Sequence, residues 1–266
     1  TKKNILRKVQ PNFLKMKMKV GLIGFGKAGK AVANVILQSN EYSLEWVLRQ
    51  STILEHRHVP EFLGIDSKEP GLIFSTSSIE IEELLSKHPV DIIIDFSSSN
   101  GIYSYGKAAA SRKIIIISAI SHYDEEEKQF LSKLSSKTIV FWSPNISLGV
   151  NYLMFAAKLL KKIAPWVDIE IIEEHFKGKP GVSGTAIKLA KELDLEETEI
   201  SSIRAGGIVS KHEIIFGFPY QTVRLIHEAI SREAFGNGVL FVADNLADKK
   251  EGFYTFEDLL SPYFAN

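Results

Sequence analysis

Four short stretches of this chain, VGLIG at 20–24, DIIID at 91–95, KIIIIS at 113–118 and TIVFW at 138–142, are apolar at nearly every interior position. A strand with one face in water alternates apolar and polar residues, whereas a strand without alternation is buried on both faces. Both faces of a sheet are covered when helices cross over it between parallel strands. The intervening sequence supplies those helices in KAGKAVANVILQS, at 79–87, in the Ala-rich 102–112 and at 125–135. SLEWVLRQ reads as a further strand, and 56–70 reads as loop. The first half is therefore expected to be α/β, with a parallel sheet covered on both faces.

After TIVFWSPN the rhythm changes. SLGVNYLMFAAKLLKKIA has strong helical spacing, VDIEIIEEH is a strand with some alternation, and a helix is expected from Gly184 to Leu193. ISSIRAGGIV, HEIIFGF and QTVRLIHEA then follow one another with only short turns, which predicts an open antiparallel or mixed sheet in a smaller α+β domain. SREAFGNGVLFVADNL is helical again and is expected to return to the first domain. The expected division is an N-terminal extension at 1–18, a nucleotide-binding domain at 19–146 with 231–266, and a second domain at 147–230.

Charge and composition narrow the function. Lys plus Arg and Asp plus Glu number 32 each, so no basic field toward nucleic acid is expected. There is no cysteine, which removes disulfides, thiolate nucleophiles and cysteine-ligated metals, and is compatible with a reducing cytoplasm. No apolar run reaches the roughly 18 residues of a membrane span. The opening TKKNILRKVQPNFLKMKM is basic and is expected to be a flexible arm, with an organellar or binding segment as the alternative.

GLIGFGKAGKAV places Gly24, Gly26 and Gly29 in G-x-G-x-x-G spacing, after a strand and opening a helix. Such glycines allow a tight turn and a close backbone approach to a pyrophosphate, whose charge the helix N-terminus favours. The second strand ends VLRQST, with Arg49 where an NAD site usually carries an acid. A guanidinium there suits the 2′-phosphate of NADPH, with NADH and a merely solvated arginine as the alternatives. The loops FSSSN, with Phe96 and Ser97, and SAISHY, with Ala119, Ile120 and Ser121, are expected at the C-terminal edge of the sheet, where ligands of open α/β sheets bind.

EEHFKGKPGVSGTA, from Glu173 to Ala186, combines His175, Lys177, Lys179 and a helix start at Gly184-Thr185, with Ser183 as the expected N-cap. Histidine exchanges protons near neutral pH, and a nearby lysine depresses its pKa while a bound carboxylate opposes that. Free N–H groups of a first helical turn attract anions. Residue chemistry alone leaves His175 open between a proton donor and a surface histidine.

The segment resembles the signature of the 4-hydroxy-tetrahydrodipicolinate reductase (dihydrodipicolinate reductase) family, roughly E-x-H-H-x-x-K-x-D-x-P-S-G-T-A. VGLIGFGKAG, IDFSSS, SPNISLGVN, RAGGIVSKHEIIF and HEAISREAFGNG resemble further family segments in order and spacing. The resemblance implies a Rossmann-type nucleotide domain and a substrate domain whose open sheet builds a homotetramer. It implies hydride transfer from NADPH or NADH to a cyclic imine dicarboxylate in lysine (diaminopimelate) biosynthesis, without a metal. It gives His175 the role of proton donor, and Lys179 that of assisting protonation or holding a carboxylate. Ser183, Gly184 and Thr185 fall at the other carboxylate. Cofactor contacts fall on Gly24, Phe25, Gly26, Lys27, Ala28, Gly29, Arg49, Phe96, Ser97, Ala119, Ile120, Ser121, Ser143, Asn145 and Ile146. Phe176 stands where the family has a second substrate-contacting histidine, and AISH stands for its G-T-T-G loop, with His122 at the usual glycine.

Four other features have structural explanations. His56-Arg57-His58 reads as a solvated loop, and Asp124–Glu127 as the acidic first turn of a helix. Trp142 and Trp166 are expected in the core or at a domain seam, and His227 as a hydrogen-bonded structural histidine.

Overall fold

The computed structural model describes residues 16–264, so most of the basic N-terminal arm lies outside the described residues. β1 (Met18–Ile23), α1 (Lys27–Leu37), β2 (Tyr42–Arg49), α2 (Val59–Leu63), β3 (Leu72–Ser75), α3 (Ile81–Lys87), β4 (Ile92–Asp95), α4 (Gly101–Ser111), β5 (Ile115–Ser118), α5 (Glu125–Leu134) and β6 (Ile139–Trp142) alternate along the first half. Then come α6 (Leu148–Ile163), β7 (Asp168–His175), α7 (Gly184–Glu192), β8 (Ile200–Arg204), β9 (Ser210–Phe218), β10 (Gln221–Ala229), α8 (Glu233–Leu246), β11 (Gly252–Tyr254) and α9 (Phe256–Leu260).

Seven strands form a parallel sheet in the order β11-β6-β5-β4-β1-β2-β3. Every residue of β4 and β5 is buried, as their unbroken apolar runs require. One face is covered by α1 and α8 through Val32, Ile36, Val239 and Val242. The other is covered by α3, α4 and α5 through Leu84, Tyr105, Ala109 and Leu131. α8 returns to this sheet as expected: Tyr42 donates to Asp244 at 2.7 Å, and a Cβ on Gly236 would stand 2.5 Å from that of Val35. Acidic residues do open α5, where Asp124 and Glu127 form a reciprocal capping box.

Several expectations need correction. The supposed loop at 56–70 contains α2, and β3, β11 and α9 are additional elements. β3 and β11 are the edge strands of the large sheet and carry partly exposed residues, so neither shows the unbroken buried run of the central strands. Trp166 is 72% exposed and so is neither core nor seam, whereas Trp142 is half-buried and donates to the Ile120 carbonyl at 2.9 Å.

The smaller sheet has the order β10-β9-β7-β8 and is mixed, with β7 and β8 parallel and the other pairs antiparallel. Ile169, Ile171, Ile214 and Phe216 on one face pack against Val150 and Leu153 of α6 and Leu189 of α7. The alternation in β7 continues past these apolar residues, so Glu173 and His175 also point inward. That continuation brings ionisable groups into the interior.

Candidate functional site

Strand order in the large sheet reverses between β1 and β4, where Ile23 pairs with Asp95. Such a reversal opens a crevice at the C-terminal edge, suited to a ligand. Gly24 has φ 93°, and a Cβ there would stand 2.6 Å from the Phe96 backbone. A Cβ on Gly29 would come within 2.0 Å of the Gly24 carbonyl oxygen. Gly26 differs: nothing lies within 4 Å of its notional Cβ, and it opens α1 without a side-chain cap. The chain's own packing thus demands the first and third glycines, while the second leaves space before free N–H groups. These features fit a dinucleotide pyrophosphate.

The surrounding residues divide into fixed and available groups. Phe25 is buried against Phe62, with ring centroids 5.7 Å apart, and Lys27 and Ala28 begin α1. Arg49 ends β2 half-buried and donates to the Ile53 carbonyl at 3.0 Å, with no carboxylate partner among the described residues. The Ser97 hydroxyl donates to Asp95 at 2.6 Å, and the Ser143 hydroxyl to the Asn145 carbonyl at 2.6 Å. Neither proton is free for a ligand, whereas Ser121 is exposed. The Ala119 N–H donates to the Asp95 backbone carbonyl at 2.9 Å, and Ile146 is buried, its carbonyl so near Gly238 that a Cβ there would stand 1.8 Å away. Asp95 was not anticipated from sequence. It is fully buried, its carboxylate accepts from Ser97 and from Tyr105 at 2.9 Å, and burial raises its pKa despite these bonds.

At the end of β7, His175 is 6% exposed, and its Nδ1 lies in a short hydrogen bond with Glu173. Glu173 is 0% exposed and receives Arg204 Nη1 at 3.0 Å, Arg204 Nη2 at 2.5 Å, the Ser202 hydroxyl at 2.7 Å and the Ser183 N–H at 3.3 Å. Burial alone would raise the Glu173 carboxyl; its hydrogen bonds, led by Arg204, override that and hold it down to about 2. For His175, burial lowers the pKa, Glu173 opposes this, and Lys179 and Arg204 lower it further. The depressing effect expected of the neighbouring lysine is present. His212 stands edge-on to His175, with centroids 5.4 Å apart, and burial first, then the neighbouring histidines, push it down to about 3.

Ser183 does precede α7, but its hydroxyl does not cap the helix; it pairs with His212 Nε2 at 3.1 Å. The first turn of α7 has no side-chain cap, and Gly184 is exposed there. An anion at this turn would therefore meet unclaimed N–H groups. Thr185 Oγ1 accepts from Asn145 Nδ2 at 3.1 Å, which leaves its proton available and links the loop after β6 to α7. Phe176 is 43% exposed, and the Lys179 N–H donates to its carbonyl at 3.0 Å, making the turn that presents Lys179.

His58 bonds to the Pro70 carbonyl on an exposed loop, and no cluster of three metal-ligating side chains occurs among the described residues. His227 pairs through Nε2 with Ser147 at 3.4 Å, but its buried Nδ1 has no partner, so the expected structural histidine is only half satisfied. Glu173, Ser202, Arg204 and His212 were missed as site residues. The signal for Glu173 was present: an acid two positions before His175 on a strand shares its face.

The sequence matches the family described as dihydrodipicolinate reductase, with its N-terminal part at 18–146 and its C-terminal part at 148–260. A 4-hydroxy-tetrahydrodipicolinate reductase of Caldanaerobacter subterraneus subsp. tengcongensis is 32% identical over 88% of this chain and 94% of that protein. One of Thermosipho africanus is 32% identical over 93% of this chain and 100% of that protein. The dipicolinate-bound dihydrodipicolinate reductase of Paenisporosarcina sp. TG-14 shares the fold, with a TM-score of 0.76, 21% identity, and coverage of 91% of this chain and 99% of that one.

Proposed function

The chain belongs to the dihydrodipicolinate reductase family, and on that premise we propose that it reduces 4-hydroxy-tetrahydrodipicolinate to tetrahydrodipicolinate with NAD(P)H, in lysine (diaminopimelate) biosynthesis. The observation that carries this proposal is a buried histidine, tied to an ionised glutamate, beside Lys179 and the uncapped start of α7. Among the described residues no helix is long and apolar enough to cross a membrane.

A bound nicotinamide would supply hydride. The chain supplies charge and a proton. Lys179 holds one carboxylate, and the Gly184 and Thr185 N–H groups with the Thr185 hydroxyl hold the other. Because an ionised Glu173 only accepts hydrogen bonds, His175 Nδ1 carries hydrogen and Nε2 is the nitrogen that takes up and delivers the catalytic proton. A dicarboxylate beside the ring offsets the burial and the cations that depress His175, so proton supply rises when substrate arrives.

Gly24, Gly26 and Gly29 with the start of α1 would hold the pyrophosphate, and Arg49 favours the 2′-phosphate of NADPH over NADH. The nucleotide-binding part is 19–146 with 231–266, supported by the packing of α8 on α1, and the substrate part is 147–230. The same proposal includes a cytoplasmic homotetramer built through the outer face of the small sheet. That face shows Ile203 and Ile226, 44% and 55% exposed, among ion pairs such as Lys211–Glu174. Sedimentation tests it: a monomer removes the assembly without touching the reaction.

A coupled assay tests the reaction. Dihydrodipicolinate synthase makes the substrate in place while NADPH and NADH oxidation are followed in parallel. We expect oxidation with both and a higher kcat/KM with NADPH. No oxidation by protein that binds cofactor would overturn the assignment.

A further inference from the structure

Resting on that reaction, we propose that Arg204 and Glu173 are one positioning unit, in which a single guanidinium sets the orientation of His175 and the placement of the Lys179 turn together. In the parallel β7–β8 pair, Arg204 lies directly opposite His175. Its side chain reaches Glu173 on the same inward face and binds it with two nitrogens. Nε donates to the Lys179 carbonyl at 3.2 Å, Nη2 also to the Gly181 carbonyl at 2.5 Å, and Nη1 also to the Ile203 carbonyl at 2.8 Å. These contacts use all five N–H donors that a guanidinium has. A lysine, with three donors and no planar fork, has no equivalent arrangement.

Glu173 is equally committed. One oxygen accepts from Ser202, Ser183 and Arg204, the other from Arg204 and His175. A buried ion pair is weak support for stability, because desolvation offsets its attraction. Position is what this arrangement provides. The carboxylate fixes the His175 tautomer, while the two carbonyl contacts fix the turn from Phe176 to Ser183 that carries Lys179. Neither residue is assigned contact with substrate; both act through His175 and Lys179.

The test combines kinetics with a measurement that needs no substrate. Glu173→Gln keeps the shape but removes both the imposed tautomer and the charge that supports protonated His175. We expect kcat to fall by about tenfold or more, and the basic limb of the kcat/KM profile to move to lower pH by about one unit. The Kd for NADPH should be unchanged, which also reports folding. Arg204→Lys should raise KM for the dicarboxylate and leave NADPH affinity unchanged. Should Glu173→Gln fail to fold, Glu173→Asp, which keeps the charge but withdraws it from the ring, is expected to shift the same limb in the same direction by less. In the ligand-free wild type, nitrogen NMR of His175 should show the Nδ1–H tautomer. An Nε2–H tautomer, or a rate loss equal at every pH in a folded Glu173 variant, would overturn the proposal. The NMR arm decides this even if the wild type does not reduce the expected substrate.

Discussion

The proposed nucleotide and substrate ends of the site are built by opposite means. At the nucleotide end the chain works by omission: Gly24 and Gly29 lack Cβ atoms that would strike backbone, and Gly26 leaves open space before the N–H groups of α1. At the substrate end the chain buries titratable side chains, with Glu173, His175 and His212 all nearly or fully inaccessible. A site of backbone groups has no protonation state to maintain and suits a cofactor that must only be held. A site that supplies a proton needs groups whose pKa values are displaced by burial and by each other. The substrate end should therefore respond to acid, and the nucleotide end to added bulk.

The largest effect expected from that difference is steric. Gly29→Val would force a branched side chain onto the Gly24 carbonyl oxygen, 2.0 Å from where its Cβ must sit. Overpacking of this kind costs on the order of 3 kcal/mol and displaces the glycine turn. NADPH binding should be lost by titration, and a Kd close to wild type would show that the turn does not hold the cofactor.

Acid should separate the two ends by a smaller amount. His212 is depressed from 6.5 to about 3, so an unfolded chain binds its proton first, and stability falls as pH drops below 6.5. Glu173, depressed from 4.5 to about 2, contributes stability above 4.5 that is lost as pH falls toward about 2. Asp95 has a raised pKa, so its contribution has the opposite sign and grows as pH falls. Between pH 6.5 and about pH 4 the His212 effect alone amounts to roughly 2–3 kcal/mol. Hydrogen exchange at the two pH values should show protection lost first in β7 and β9 and kept in β4 and β5. Equal losses in both sheets would remove the contrast.

The smallest effect concerns cofactor choice. Arg49→Ala should weaken NADPH by about ten- to a hundredfold, the scale of one or two charge-assisted bonds, and NADH much less. Equal weakening of both would mean that Arg49 serves its contact with Ile53 rather than the 2′-phosphate.

The same contrast explains what the sequence disclosed. The glycine spacing is local, and it carried weight for Gly24, Gly26 and Gly29 only together with the strand before it and the helix after it in an alternating α/β chain. The runs of β4 and β5 declared a doubly covered sheet because they never alternate. β3 and β11 escaped notice because they are the two edge strands, with partly exposed residues in place of the fully buried run that marks β4 and β5. At the substrate end, His175, Lys179 and Thr185 were legible as one segment, whereas Arg204 lies on another strand and reaches Glu173 only through the β7–β8 register. Ser183 shows the limit most clearly: the residue type predicted a cap, but a buried histidine from β9 takes its hydroxyl and leaves the helix start open.

The central claim is that binding and proton supply reside at different ends, with His175 responsible only for the second. One comparison of wild type with His175→Gln tests it: NADPH affinity by fluorescence titration and turnover in the coupled assay, on the same preparations. We predict unchanged affinity and a kcat lower by about 10²–10⁴-fold, the usual range for loss of a positioned acid. Turnover near the wild-type value with intact affinity would contradict the assignment of the proton to His175.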